Sequence, residues 1–348
     1  MMDLLLKAVI ATAPVLVLLA VFDRLDVFNL INLRDISRLL ATGGAAALIG
    51  LVGNWIVMGS VHGGNDLYIR YVSPVLEESL KAAPIIALFY FNRLGFKLDT
   101  AIAGFALGAG FSVIENVWFL ITAADANVSA WLVRGFGTAV MHGSATAIFA
   151  VISHEMTERQ AEGHAEGYRF NPLLFLPGLA VAIVIHSAFN HFPDRPLLIM
   201  ALTMLLAPLT LFFTLARSEQ ATTQWLRNDE AAHRQALDDI RAGRFAESES
   251  GRAIHELANR FGPAMSAEAF AYLELKTELI LRAEELIRAS FEASAGDIGD
   301  AEREKFGRLE ALEQRLGKPV INAINSRLGF TRNDLWELGR LRERAFGR

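Results

Sequence analysis

Seven long runs of apolar residues dominate the first two thirds of the chain, and each is about 20 residues long. A stretch of that length and composition can cross the hydrocarbon core of a bilayer as an α-helix. The runs cover residues 4–22, 39–59, 74–91, 100–122, 131–153, 173–192 and 197–216. They predict an all-α fold, a polytopic bundle of about seven transmembrane helices.

The distribution of charge separates a second region from this membrane region. Residues 1–216 hold 12 Lys and Arg with 15 Asp and Glu, whereas the remaining 132 residues hold 21 and 23. Apolar positions in 264–293 follow the spacing of an amphipathic helix, and Gly317 and Gly329 indicate breaks between shorter helices. We therefore expect a transmembrane domain at 1–216 and a soluble helical domain at 217–348.

The overall composition narrows the chemistry of the protein. Hydrophobic residues make up 53% of the chain, and the formal net charge of −5 averages over two unlike regions. There is no basic arm, so a nucleic-acid partner is not expected. The chain has no cysteine, which excludes disulfides, a thiol nucleophile and a thiolate metal site. Oxygen and imidazole groups must therefore supply any chemistry.

The short loops predict the orientation of the bundle. With the N-terminus outside, the inside loops hold seven Lys and Arg residues, against three at the outside positions, Arg70, Arg134 and Arg195. Cytoplasmic loops carry the excess of positive charge in membrane proteins. We therefore expect a multi-pass protein of the cell membrane with its N-terminus outside and its C-terminal domain in the cytoplasm.

The run at 74–91 is unusual because it carries Glu77, Glu78 and Lys81. An ionisable residue at the centre of a span costs about 2.5 to 3.5 kcal/mol on insertion scales, so it usually has a function. Lys81 follows the two acids by four and three residues, where its ammonium can reach either carboxylate. The three residues form either an internal ion pair that locks two helices together or part of a functional site.

Three other predicted spans place Glu115, His142 and His186 in the same half of the bilayer. Small or polar residues recur beside them every four positions: Arg134, Thr138, His142 and Thr146 in one span, and Gly104, Gly108, Ser112 and Asn116 in another. The small residues allow a neighbouring backbone to approach closely. Asn190 lies one turn after His186, and we expect all these polar edges to face the interior of the bundle.

Carboxylates and imidazoles in a dry pocket are the groups needed to hydrolyse an amide with water. A buried Glu beside a cation can take a proton from water, and His or Asn can donate hydrogen bonds to the oxyanion. Alternatively, Glu115, His142 and His186 supply the three protein ligands of a catalytic zinc ion, which acidifies a bound water. The favoured interpretation requires no cofactor, and the residues leave the zinc alternative open.

Four motifs occur in order on successive predicted helices. They are Pro-x-x-Glu-Glu-x-x-Lys at 74–81, Phe-x-x-x-Glu-Asn at 111–116, a single His142, and His-x-x-x-Asn at 186–190. Together they resemble the motifs of the PrsW family of intramembrane proteases, which is similar to the CAAX prenyl endopeptidases. The resemblance covers residues 68–192. Compared with the CAAX pattern, Lys81 comes one position earlier than the expected Arg, and Glu115 replaces a His.

This resemblance implies roles for the first group of residues in a glutamic-type protease. Glu77 is the base that activates water, and Glu78 with Lys81 adjusts its basicity. The motif alone does not decide between the two glutamates as the base. Glu115 and His142 position the water or the substrate carbonyl.

The remaining motif residues complete the implied site. His186 and Asn190 stabilise the oxyanion, while Asn116 and Arg134 support the catalytic side chains. The implied substrate is a membrane-anchored protein, cleaved near the outer half of the bilayer.

Two alternatives without proteolysis use the same residues. A proton-coupled transporter also gathers acids and histidines inside a bundle, but no internal repeat or pair of interrupted helices supports it. A membrane scaffold with an inactive site would keep all the residues. The soluble domain either packs on itself, binds a cytoplasmic regulator or self-associates.

Overall fold

The computed structural model describes residues 2–25, 31–58, 64–162, 170–191, 195–260, 262–291, 299–328 and 330–346. Every regular element in these ranges is a helix, which confirms the predicted all-α fold. The chain divides into two compact units. We call Met1–Thr157 with Phe170–Glu219 the membrane unit, and Glu158–Arg169 with Gln220–Arg348 the C-terminal unit.

The helices of the membrane unit are connected by short segments. In the described residues they are α1 (Met2–Leu25), α2 (Leu33–Met58), α3 (Gly64–Leu67), α4 (Ser73–Tyr90), α5 (Lys97–Thr122), α6 (Val128–Leu132), α7 (Ala139–Glu162), α8 (Leu176–Asn190) and the start of α9 (Pro196–Arg241). A 3₁₀ turn at Pro172–Phe175 leads into α8.

Within the described residues, six helical segments are long and apolar enough to cross a membrane. They are Leu4–Arg24, Leu33–Met58, Lys97–Thr122, Val128–Gln160, Pro172–Asn190 and Pro196–Phe213. These segments match six of the seven predicted runs. The seventh run, 74–91, is helical as α4, but its two acids and one lysine make it too polar to be identified as a span by composition. The last helix, α9, extends well beyond the predicted end at residue 216.

Helix α5 packs against its neighbours backbone to backbone. A Cβ atom at Gly108 would lie 2.4 Å from the carbonyl oxygen of His142 on α7, and one at Gly110 would lie 2.0 Å from that of Leu40 on α2. Neither site has room for a side chain. The predicted close approach along the stripe of small residues is therefore confirmed, and it brings α5 next to the part of α7 that carries His142.

Two wide π-helical turns, Tyr68–Val72 and Val133–Thr138, run directly into α4 and α7. At their ends the Ser73 N–H bonds to the Tyr68 carbonyl and the Ala139 N–H to the Arg134 carbonyl, five residues back. The sequence analysis did not predict either turn. π turns inside helices often occur at functional sites, and here each precedes a helix that carries a predicted site residue.

The C-terminal unit is also helical in its described part. It contains the end of α9 followed by α10 (Arg244–Glu247), α11 (Glu249–Asn259), α12 (Pro263–Phe291), α13 (Asp300–Leu328) and α14 (Arg332–Phe346). Helix α12 packs against α11, α13 and α14. Leu275 and Leu279 of α12 meet Leu309 and Ile324 of α13 in its hydrophobic core, whose burial drives the folding of this unit.

The predicted amphipathic helix at 264–293 corresponds to α12 and is confirmed. The predicted break at Gly317 is also confirmed, because Gly317 has φ 72° and interrupts α13, a conformation that glycine adopts without steric cost. The second predicted break, at Gly329, lies outside the described residues, between the end of α13 and the start of α14.

Candidate active site

Glu77 lies on α4, and its carboxylate accepts hydrogen bonds from one side chain of α4 and one of α2. Its Oε1 accepts hydrogen bonds from Ser73 Oγ at 2.6 Å and from Asn54 Nδ2, on α2, at 3.0 Å. Tyr68, in the first π turn, donates its hydroxyl to Asn54 Oδ1 at 2.6 Å. Because both hydrogen bonds fall on Oε1, the carboxylate is oriented while its Oε2 faces His186.

Glu78 is buried and connects a lysine to a histidine. Its Oε1 accepts a hydrogen bond from Lys81 Nζ at 2.5 Å and one from His186 Nδ1 at 2.8 Å. Lys81 has no exposed surface, so its ammonium requires this carboxylate. Since His186 donates from Nδ1, its Nε2 keeps a lone pair. That Nε2 lies 4.0 Å from Glu77 Oε2.

His142, on α7, is engaged at both ring nitrogens. Its Nδ1 lies 2.8 Å from Lys81 Nζ, and its Nε2 lies 2.9 Å from Glu115 Oε2. An ammonium can only donate, so Nδ1 accepts from Lys81 and the ring proton resides on Nε2, toward Glu115. The ring also meets His186 edge to face, with centroids 4.8 Å apart.

Arg134, in the second π turn, extends the cluster toward α1. Its Nη2 lies 2.9 Å from Glu115 Oε1, and its Nε donates to Asn116 Oδ1 at 2.7 Å. Asn116 in turn donates to the backbone carbonyl of Ala11 at 2.7 Å. The guanidinium carbon lies 4.4 Å from the ring centroid of Phe119, a favourable cation–π contact. Arg134 therefore neutralises Glu115 and is itself held in place on two sides.

Asn190 and its neighbour Ser187 bind the backbone of the first π turn. Asn190 Nδ2 donates to the carbonyl of Ile69 at 2.9 Å, and Ser187 Oγ donates to that of Arg70 at 2.6 Å. A π turn changes the pattern of backbone hydrogen bonds, and α8 supplies donors to carbonyls within it. Asn190 thus lies at the edge of the cluster, where it fixes the segment that leads into α4.

The structure brings most of the predicted site residues into one continuous network. Their order through space is Arg134, Glu115, His142, Lys81, Glu78, His186 and Glu77. Asn116 joins it through Arg134, whereas Asn190 bonds to the backbone of Ile69 and lies beside the network. Sequence reasoning missed three residues that hold Glu77, namely Asn54, Ser73 and Tyr68. Asn54, a lone amide in an apolar run, was the one signal that could have pointed to them.

The residues of the cluster fit a divalent metal ion in type and position. Glu77, His142 and His186 each offer a ligand atom, and the three atoms lie within 4.8 Å of one another. His186 fits best, because Glu78 holds its Nδ1–H while Nε2 keeps its lone pair, the arrangement of most metal-binding histidines.

One position of this ligand set differs from the predicted zinc site, while His142 and His186 are common to both. Glu115 was predicted as a ligand, but among the described residues Glu77 joins the two histidines instead. Glu115 is paired with Arg134 and His142. His142 must release Lys81 or Glu115 before either of its nitrogens can bind a metal.

Helices long and apolar enough to cross a membrane enclose a network of buried acids, histidines and a lysine, an arrangement typical of intramembrane enzymes and of proton-coupled transporters. Comparison with known families distinguishes the two, because the model of the PrsW family intramembrane metalloprotease matches residues 2–216. The chain belongs to this family and is a multi-pass membrane peptidase. This assignment favours the peptidase interpretation over the transporter and scaffold alternatives. No curated protein and no solved structure matches the chain.

Proposed function

We propose that this protein hydrolyses peptide bonds of membrane-anchored proteins and that Glu77 is the base that activates water. One observation carries the choice of base. Glu77 Oε2 and His186 Nε2 face each other across 4.0 Å, and within the described residues neither atom has a hydrogen bond or a closer ion-pair partner. A water between them would find two acceptors for its two hydrogens. Glu78, by contrast, already neutralises Lys81.

The proposed reaction follows from these contacts. Glu77 takes one proton from the water while His186 Nε2 accepts a hydrogen bond from the other hydrogen, and the oxygen attacks the carbonyl carbon. The proton held by Glu77 then passes to the amide nitrogen as the C–N bond breaks. Glu78 orients His186 through its Nδ1–H, the same relation that a carboxylate has to histidine in a catalytic triad.

The remaining cluster residues stabilise charge on the carbonyl oxygen in this proposal. His142 carries its proton on Nε2, toward Glu115, so a substrate carbonyl entering there would accept a hydrogen bond from it. Lys81 adds positive potential within a site where charges are weakly screened. Asn190 supports the reaction indirectly, since it holds the π turn before α4. His142 thus takes the oxyanion contact that was predicted for His186 and Asn190.

Cleavage of tagged single-span proteins by the reconstituted full chain tests the proposal. We expect Glu77→Gln and His186→Ala to reduce the rate by at least about a hundredfold, as for removal of a general base. Ser79→Ala is the matched control, because Ser79 is exposed on the same helix and should leave the rate unchanged. Full cleavage by Glu77→Gln, with wild-type amounts of folded protein, would contradict the assignment.

A metal-dependent mechanism is the second candidate, favoured by the ligand set Glu77, His142 and His186. A bound zinc ion would supply Lewis acidity and a more acidic water. The two mechanisms differ in what a strong chelator does. Chelation followed by removal of the chelator should leave cleavage unchanged in the metal-free mechanism. Loss of cleavage that returns with added Zn²⁺ would support the metal mechanism, and the metal content of Glu77→Gln would then fall.

We further propose that the N-terminus lies outside the cell and the C-terminal unit in the cytoplasm, as the loop charges indicate. Because the chain has no cysteine, each introduced cysteine is a unique reporter. Ser129→Cys, at an exposed position in the first turn of α6, should react in whole cells with a membrane-impermeant maleimide. Gln235→Cys, exposed on α9, should react only after lysis. The reverse pattern would invert the topology.

A further inference from the structure

A second cluster of buried ionisable residues lies in the C-terminal unit, outside the region that matches the family. It joins three helices: Asp229 and His233 on α9, Glu284 on α12 and Asp334 on α14. Each residue offers one ligand atom, and the four atoms lie within 4.8 Å of one another. The peptidase mechanism uses none of them.

His233 is oriented as a metal-binding histidine would be. Its Nδ1 lies 2.6 Å from Glu284 Oε1, while its Nε2 faces Asp334 Oδ2 at 3.7 Å. The ring also stacks on Phe330, with centroids 6.5 Å apart. Glu284 thus holds the Nδ1 side of the ring and leaves Nε2 beside Asp334, and a carboxylate partner of this kind orients the histidines that bind metals.

Several carboxylate oxygens of this cluster are buried without a hydrogen-bond donor. Within the described residues, Asp229 Oδ2, Glu284 Oε2 and Asp334 Oδ1 each lack one. Glu337 is an independent case: it is fully buried, both of its oxygens lack a donor, and it lies one turn after Asp334 on the same face of α14. Each such buried oxygen destabilises the fold unless a proton or a cation pairs with it.

Three acids share one histidine in this cluster. Asp229, Glu284 and Asp334 each place an oxygen within 4.8 Å of one nitrogen of His233. Among the described residues, Lys276 Nζ bonds to Tyr272 and Asn325. The buried carboxylate oxygens without a donor are therefore suited to bind a cation.

We propose that the C-terminal unit binds a divalent first-row transition-metal ion through His233, Asp229, Asp334 and Glu284. An imidazole with several carboxylates suits Zn²⁺ or Mn²⁺, whereas Ca²⁺ and Mg²⁺ prefer oxygen ligands alone. The ion would join the end of α9 to α12 and α14 and would neutralise the unpaired oxygens. It is a structural site, separate in sequence and in ligands from the peptidase cluster.

Metal analysis of the purified full chain in detergent tests this proposal. The Glu77→Gln background weakens the ligand set of the peptidase cluster, so that bound metal reports the second site. After chelation, the protein is equilibrated with Zn²⁺ or Mn²⁺, freed of excess metal and analysed by mass spectrometry. We expect about one ion per chain, and thermal unfolding of the metal-loaded protein should occur at a higher temperature than that of the chelated protein.

Substitutions in the second cluster then locate the ion. His233→Gln and Asp334→Asn, each in the same background, should reduce bound metal to near zero and abolish the thermal shift. Asp238→Asn, at an exposed position on α9, is the matched control and should retain the ion. The proposal is overturned if the background protein holds no metal, or if folded His233→Gln protein retains all of it. The first result needs no substitution in the C-terminal unit, so misfolding of a variant cannot hide it.

Discussion

The two buried clusters of this protein differ in how they balance charge. In the membrane cluster Glu78 meets Lys81, Glu115 meets Arg134, and Glu77 faces His186. In the C-terminal cluster Asp229, Glu284 and Asp334 share one histidine, His233. Among the described residues, one oxygen of Glu115 lacks a hydrogen-bond donor in the first cluster, against one oxygen on each of the three acids in the second. The first cluster thus pairs two of its three carboxylates with cations, whereas the second is suited to hold a cation.

The largest expected loss of unfolding free energy comes from removing Lys81, the buried lysine of the membrane cluster. Lys81→Met leaves Glu78 with His186 as its remaining partner and removes the donor to His142 Nδ1. Removing one member of a buried ion pair costs about 3 to 5 kcal/mol, so we expect a loss of this size in unfolding free energy. Denaturant titration of the purified protein in mixed detergent micelles measures it.

The double variant Lys81→Met with Glu78→Gln provides the control for this prediction. Neutralising both partners removes the unpaired charge, so the double variant should be more stable than Lys81→Met alone. Equal stability of the two variants would show that the ion pair does not explain the loss.

The second prediction compares Lys81 with the lysine of the C-terminal unit. The Nζ of Lys276 bonds to Tyr272 and Asn325, and burial lowers the pKa of Lys276 to about 8 from 10.5. Below pH 8 it is charged in both the folded and unfolded states, and burial of that charge destabilises the fold. Between pH 8 and 10.5 the unfolded state binds the proton more tightly, so stability should rise with pH by at most about 1.4 kcal/mol per unit.

The rise of unfolding free energy with pH is measured as the difference between the wild-type protein and Lys276→Met, which lacks the titrating group. Unfolding of the C-terminal unit can be followed by the fluorescence of the buried Trp336, with the other four tryptophans replaced by Phe. A difference between the two proteins that does not change from pH 8 to 10 would contradict the prediction.

The third prediction removes one buried acid, Glu337, from the C-terminal unit and compares the result with the loss of an acid from the membrane cluster. Burial, with Glu284 and Asp334 nearby, raises the pKa of the Glu337 carboxyl well above its usual range. Glu337→Gln keeps the shape and removes the repulsion, so we expect the metal-free protein to gain about 1 kcal/mol of stability. The same Trp336 fluorescence assay measures the gain. The matched change Glu78→Gln in the membrane cluster should destabilise, because it removes the partner of Lys81.

The smallest expected effect concerns the residues that orient Glu77. Tyr68→Phe removes one hydrogen bond to Asn54 and leaves the two bonds to Glu77 intact. A single hydrogen bond contributes about 1 kcal/mol, so the cleavage rate should fall by about fivefold without a change in protein level. Initial rates on a tagged single-span substrate measure it. A loss as large as that of Glu77→Gln would mean that Tyr68 acts directly in the reaction.

The sequence predicted the main features of the membrane unit for physical reasons that can be named. In lipid, the backbone N–H and C=O groups of a long apolar run are all hydrogen-bonded when the run forms a helix. The polar and small residues that recur every four positions indicate which helix faces meet. The ionisable residues Glu77, Glu78, Lys81, Glu115 and His142 were therefore expected to converge before any coordinates were known.

Other features depend on tertiary structure and left little signal in the sequence. The two π turns pack against α8 and α1, which are distant in sequence, and no local residue pattern predicted them. Glu77, and not Glu115, completes the ligand set with His142 and His186. Glu115 is instead paired with Arg134, and this pairing depends on how the helices pack. The acids of the C-terminal cluster lie far apart in sequence, between Asp229 and Asp334, with no common motif to join them.

The wide turn at Tyr68–Val72 also sets the rotation of the helix that follows it. Nine residues of an uninterrupted α-helix make about two and a half turns, which would place Tyr68 and Glu77 on opposite sides of the axis. A wider turn rotates less per residue, and here both side chains bind the same amide of Asn54. Deleting one residue within the turn would leave the Pro-x-x-Glu-Glu signature unchanged while altering its angular phase, so the signature alone does not specify a working site.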